Sequence, residues 1–186
     1  MYLIAAAVFN LSKVEKHVNQ AIDIVKTIRS EFKPKITEIA SVIKDKSDIF
    51  YLGRGYDYYL SLEASLKLKE VSYIHSEAIA GGELKHGPIA LIESGTPVIV
   101  FVTDIFTASS MRGNIEEVKS RGANVFVIST KPLAKEGDSI VIEDYPGYLS
   151  SIVVSSIAFY LAYYVSLLKG YNVDKPRNLA KSVTVE

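Results

Sequence analysis

Asp48-Ile49-Phe50-Tyr51-Leu52-Gly53-Arg54-Gly55 is the stretch on which the reading of this chain turns. Four large apolar residues stopped by a glycine make a short strand buried on both faces, and Gly-Arg-Gly makes the tight turn that releases it into a helix. The helix follows from Asp57 to about Glu70, with Leu60, Ala64, Leu68 and Val71 recurring at helical spacing on one side. Further runs of Val, Ile and Phe predict buried strands at Pro97–Val102, Asn124–Ser129 and Ser139–Ile142. Between them Ser109–Arg121 reads as a helix closed by Gly122.

Upstream, Met1 to about Arg29 is helical in pattern, amphipathic from Val14 through Val18, Ala21, Ile22 and Val25. Pro34 suits the first turn of a second helix carrying Ile36, Ile39, Ala40 and Ile43. Downstream, a long apolar helix runs from Tyr148 to a stop at Gly170. Strands that alternate with helices and are apolar throughout indicate a parallel sheet covered on both faces. The expected fold class is α/β, a doubly wound parallel sheet flanked by helices. The expected division is leading helices over 1–47, a core over 48–170 and an ordered irregular tail over 171–186. The abrupt hydrophobic start looks like a chain that begins inside a helix.

The 186 residues fit one domain, and 21 basic against 21 acidic side chains leave no net field to draw in nucleic acid or an anionic membrane. No cysteine is present, which removes disulfides and thiolate chemistry and fits a cytoplasmic protein. The three histidines, His17, His75 and His86, lack HxH or HExxH spacing, so neither a metal nor a cofactor is expected. Tyr148–Leu168 carries no charge over a length of about 20 residues that could span a bilayer, but serines interrupt it and tyrosines scatter through it. It reads as a helix buried by its own domain and by a partner subunit, not by lipid.

Gly53-Arg54-Gly55 lacks the third glycine of a dinucleotide fingerprint and is read as an ordinary turn. The following helix carries a second stripe, Glu63, Lys67 and Glu70. As a surface feature this is an ion pair worth a few tenths of a kcal/mol. As chemistry, Glu70 could move a proton while Lys67 steadies a developing oxyanion. Residues 75–88 read as an irregular segment that carries His86, a group able to exchange protons near neutral pH, though a lone loop histidine also has a plain structural reading. Lys181 lies on the closing segment. It is either a solvated surface lysine or an amine folded into a pocket, where loss of its proton would make it a nucleophile toward carbonyls.

The run Leu66-Lys67-Leu68-Lys69-Glu70-Val71-Ser72-Tyr73-Ile74-His75, followed by Gly82-Glu83-Leu84-Lys85-His86-Gly87-Pro88, closely resembles the isomerase part of the glutamine–fructose-6-phosphate aminotransferases, the glucosamine-6-phosphate synthases. The closing Pro176-Arg177-Asn178-Leu179-Ala180-Lys181-Ser182-Val183-Thr184-Val185-Glu186 is similar to that family's carboxyl terminus. The resemblance covers essentially the whole chain. It corresponds to the second of two tandem sugar-isomerase (SIS) domains, a flavodoxin-like three-layer sandwich, with the helix leading into it.

The resemblance implies roles for particular residues. Lys181 would form a Schiff base with the opened ketose carbonyl, with Ala180 lining the site. Glu70 would move the proton between C1 and C2, and Lys67 would be its cationic companion. His86 would open the sugar ring, lent by the neighbouring subunit of a homodimer. The implied ligands are fructose 6-phosphate and glucosamine 6-phosphate. The family's glutaminase domain, first SIS domain and Ser-Gln-Ser phosphate loop have no counterpart here. Thr107-Ala108-Ser109-Ser110 is the nearest approach to that loop. Weak or absent synthase activity is therefore expected of the chain by itself, and a regulatory phosphosugar-binding module or a structural half-subunit are the rival readings.

Overall fold

A computed structural model describes residues 11–145 and 149–179. Two helices lead in, α1 (Leu11–Glu31) and α2 (Lys33–Ile43), the second with Pro34 in its first turn, where no backbone N–H is needed. Then come β1 (Asp48–Gly53), α3 (Tyr56–Ser72), β2 (His75–Ala80), β3 (Pro97–Val102), α4 (Ala108–Lys119), β4 (Asn124–Thr130), β5 (Ile140–Ile142) and α5 (Ser150–Leu168). The five strands are all parallel in the order β2-β1-β3-β4-β5. This is the expected doubly wound sheet, with the chain reversing direction across the sheet between β1 and β3.

One strand was not expected. His75–Ala80 pairs along its whole length with β1, from Asp48 opposite His75 to Gly53 opposite Ala80. Being an edge strand with its polar His75 and Glu77 exposed, it lacks the unbroken apolar run of a central strand. The irregular segment read over 75–88 therefore shrinks to 81–88. It holds the Gly81-Gly82 turn and a single 3-10 turn over Leu84–His86.

The two faces of the sheet are covered unequally. Tyr51, Ile99, Phe101 and Ile128 turn to a core shared with α1, α2, α3 and α5, whereas Phe50, Leu52, Val98 and Val100 turn to α4 and the segment around Leu84 and Ile92. Leu60, Ala64 and Leu68 of α3 are buried as the spacing predicts. Full burial of Leu68 contributes roughly 1.5–3 kcal/mol. α5 buries Val153, Val154, Ile157, Leu161 and Val165, but Ile152, Phe159, Tyr163 and Leu167 stay exposed, so this chain covers only one side of it. No described helix is long and apolar enough to cross a membrane.

Two buried carboxylates tie the loops at the carboxyl ends of the strands. Asp57 takes hydrogen bonds from the Thr103 backbone N–H and hydroxyl and from the Asp104 N–H, which fixes the start of α3 to the end of β3. Burial pushes its carboxyl above the ordinary carboxylate value, and those donors pull against the rise. Asp138 receives a two-pronged bond from Arg112 and others from the Ser129 hydroxyl and the Lys135 N–H, closing the loop after β4.

Candidate active site at the far end of the third helix

α3 can begin where β1 ends only because glycine stands at Gly53 and Gly55. A Cβ at Gly53 would lie 2.2 Å from the Asp57 carbonyl oxygen, and Gly55 has φ +57°. The helix then runs back along the sheet for 17 residues, a length of about 25 Å. Its last turn therefore lies at the amino edge of the sheet. There the Ser166 hydroxyl of α5 donates to the Val71 carbonyl at 2.9 Å, and the Ser72 hydroxyl donates to the Leu68 carbonyl at 2.6 Å. The turn is thus held rigidly against α5.

On the outer side of this turn Lys67 Nζ stands 2.8 Å from Glu70 Oε2 and 3.7 Å from Glu63 Oε1. The Lys67 and Glu70 side chains are 33% and 28% exposed, so they are sheltered without being closed off. The hydrogen bond to Glu70, and more weakly the charges of Glu70 and Glu63, hold the Lys67 ammonium above its ordinary pKa. Lys67 is accordingly a fixed cation and not an amine nucleophile, the condition for steadying negative charge. Glu70 Oε1 accepts no hydrogen bond from a described residue. Beside the pair, Val71, Phe159, Ala162, Tyr163 and Val173 wall an apolar hollow of about 140 Å³.

The chain beyond α5 returns to the same place. The Arg177 N–H donates to the Tyr73 hydroxyl at 2.8 Å, and the Arg177 guanidinium lies 4.0 Å above the Tyr73 ring. Residues 171–177 are thereby seated beside the end of α3. Ala180 and Lys181 lie outside the described residues.

His86 is not brought to this site within one chain. It follows the carboxyl end of β2, whereas Glu70 precedes the amino end, and a strand of six residues separates the two ends by roughly 20 Å. The turn before His86 is built on Arg54, whose Nε donates to Asn114 at 2.9 Å. A Cβ at Gly81 would meet the Arg54 side chain at 3.1 Å and the Asn114 side-chain amide oxygen at 2.6 Å. Gly81 is the mark this packing leaves in the sequence. The Tyr73–Arg177 contact had no such signal.

Other hollows lie among the described residues. One, of about 530 Å³, lies at the amino ends of the strands between Lys46, His75, Glu93 and Thr96, with His75 Nδ1 2.8 Å from Asp48. Another, of about 360 Å³, lies outside the carboxyl ends of the strands, where doubly wound sheets commonly bind ligands. Tyr56, Ile105, Phe106 and Tyr145 line it together with Asp104 and Asp144. Its carboxylates repel a phosphate. The Thr107 hydroxyl turns toward the Arg54 and Asp104 carbonyls, and Ser109 and Ser110 stand exposed on the first turn of α4.

Comparison with known proteins bears on the fold and the family. The glutamine–fructose-6-phosphate aminotransferase (isomerizing) of Streptococcus mutans is 52% identical over 150 residues, covering 80% of this chain and 25% of that protein. Its counterpart in Streptococcus pneumoniae is 46% identical over 181 residues, 97% of this chain and 30% of that one. The chain thus spans a quarter to a third of the relatives it matches. Among solved structures, the C-terminal domain of glucosamine-fructose-6-phosphate aminotransferase from Francisella tularensis superposes with a TM-score of 0.80 at 30% identity, over 88% of this chain and 47% of that one. Tagatose-6-phosphate ketose/aldose isomerase from Escherichia coli, at 20% identity and a TM-score of 0.75 over 91% of this chain and 49% of its own, shares the fold. With residues 42–168 matching the SIS domain and the sheet built as described, the chain belongs to the SIS domain family.

Proposed function

We propose that this chain is the second half of the isomerase unit of a glucosamine-6-phosphate synthase, with helices over 1–47, a core over 48–170 and a site-completing tail over 171–186. In this reading the Lys181 amine attacks the C2 carbonyl of ring-opened fructose 6-phosphate, and water leaves as the imine forms. Ammonia then displaces the lysine, Glu70 takes a proton from C1 and a proton is returned at C2, giving glucosamine 6-phosphate. Lys67 holds the negative charge that develops during the transfer. Ala180 packs beside the imine. His86 acts across a homodimer, in the neighbouring subunit's site.

The observation that carries the reading is the seating of residues 171–177 beside the helix end that bears Lys67 and Glu70. Lys181 lies four residues beyond Arg177, a reach of at most about 14 Å. Glu70 lies one helical turn before Tyr73, on which Arg177 rests. The separation of His86 from Glu70 in one protomer supports a site completed between subunits.

Borohydride reduction in the presence of fructose 6-phosphate is expected to leave a sugar adduct on Lys181. The trial uses the chain mixed with one that supplies the remainder of the relatives' length. Lys181→Ala should remove the adduct entirely. An adduct that persists in Lys181→Ala, or is absent from the wild type at millimolar sugar, overturns the assignment.

A structural half-subunit is the second reading, favoured by the acidic, apolar crevice at the carboxyl ends of the strands. Both readings predict that the chain alone shows no saturable response to inorganic phosphate in the amide signals of Asp104, Phe106 and Thr107. They part on whether the mixed assembly forms the Lys181 adduct.

A further inference from the structure

Tyr73 closes α3 in the left-handed conformation, φ +60° and ψ +17°. Glycine and asparagine adopt that region readily, and a tyrosine rarely does. Among the described residues Asn178 is the one other non-glycine with positive φ. An unfavourable backbone state kept at a surface helix end points to a side chain with work to do. Here the Tyr73 ring meets Tyr171 at 5.0 Å between centroids, lies under the Arg177 guanidinium at 4.0 Å, and offers its hydroxyl to the Arg177 N–H at 2.8 Å. Tyr171 is in turn covered by Lys169 Nζ, 5.6 Å from its ring, and that ammonium donates to the Lys44 carbonyl at 3.0 Å. One side chain thus holds the returning segment at both ends. Directly after the clamp, Asn178 turns the backbone at φ +62°.

We infer that Tyr73 is a positioning residue: it latches residues 171–177 to the end of α3 and thereby sets where the last residues of the chain are delivered relative to Lys67 and Glu70. The inference rests on the proposed role of Lys181 for its catalytic consequence, but the latch itself stands on the contacts above. The left-handed backbone serves this end. It swings the ring out of the helical path to face the tail, while the Tyr73 N–H still closes the helix on the Lys69 carbonyl at 3.1 Å.

The test separates holding the tail from holding the fold. Tyr73→Gly relieves the backbone conformation and deletes the ring, so the melting temperature should be held or raised. The same change should speed hydrogen exchange at the Arg177 amide by about tenfold or more. In the mixed assembly it should slow formation of the Lys181 adduct without altering adduct saturation by sugar. Tyr73→Phe, which keeps the ring and loses the acceptor, should fall between. Arg177→Ala, which leaves α3 untouched, should reproduce the slower adduct formation. Unchanged Arg177 exchange in Tyr73→Gly overturns the latch. A fall in melting temperature that tracks the loss of adduct also overturns it, because Tyr73 would then be a plain structural residue. If the wild type itself forms no adduct, the proposed function fails separately and Arg177 exchange alone decides the latch.

Discussion

Under the proposed function, Glu70→Gln is expected to slow C1–C2 proton transfer by about 10²–10⁴-fold in the mixed assembly, while the borohydride adduct on Lys181 still forms. The substitution keeps the size of the side chain and an acceptor for the Lys67 ammonium, which now stands 2.8 Å from Glu70 Oε2. It removes the ability to take a proton. Binding and imine formation should therefore survive while isomerisation stops, and the two are read separately by trapping and by exchange of the C1 hydrogen with solvent. The Lys67 side chain should lose part of what raises its pKa, since the hydrogen bond to Glu70 is weakened and the Glu70 charge is removed, while Glu63 at 3.7 Å remains. Proton transfer within tenfold of the wild type would remove Glu70 from the role.

The largest stability effect is expected at Asp138. Its side chain is 3% exposed and that of Arg112 is 12% exposed, so deleting one partner strands a buried charge. Asp138→Ala should cost about 3–5 kcal/mol. At this size that corresponds to a fall in melting temperature of roughly 6–20 °C. An apolar replacement of both, Arg112→Met with Asp138→Leu, should recover much of the loss, because the desolvation of two charges disappears with their attraction. The pair also gives a pH signature. Burial alone would raise the Asp138 carboxyl, but the bonds from Arg112, Ser129 and the Lys135 N–H outweigh it and hold it below the ordinary carboxylate value. Its folded pKa lies below its unfolded one, so its contribution is complete above the unfolded value and is lost as pH falls through the folded one. Melting curves between pH 6 and 2 should steepen toward acid in the wild type and less so in Asp138→Asn. Equal slopes would show that the pair does not couple to protonation.

Much of the fold was legible because central strands and amphipathic helices carry their burial in their spacing. Ile49–Leu52 and Val98–Val102 are buried on both faces of the sheet and read as such, and Leu60, Ala64 and Leu68 announced the inner side of α3. β2 was illegible for the converse reason. Its backbone is satisfied by β1 on one side, its exposed His75 and Glu77 are polar, and its only apolar run is the short Ala78-Ile79-Ala80. Of the candidate site, the Glu63, Lys67 and Glu70 stripe was visible from helical spacing, since residues one turn apart must share a face.

Sequence by itself determined the α/β class, four of the five described strands, the Gly53 and Gly55 turn and the acidic and basic groups gathered on one face of α3. Tertiary structure alone decided that His86 stands at the end of the sheet opposite Glu70, and that residues 171–177 come back to rest on Tyr73. Local patterns specify which way a residue faces along its own element. The distance between two elements depends on how the sheet is ordered and how the chain crosses it, and no periodicity within either element records that.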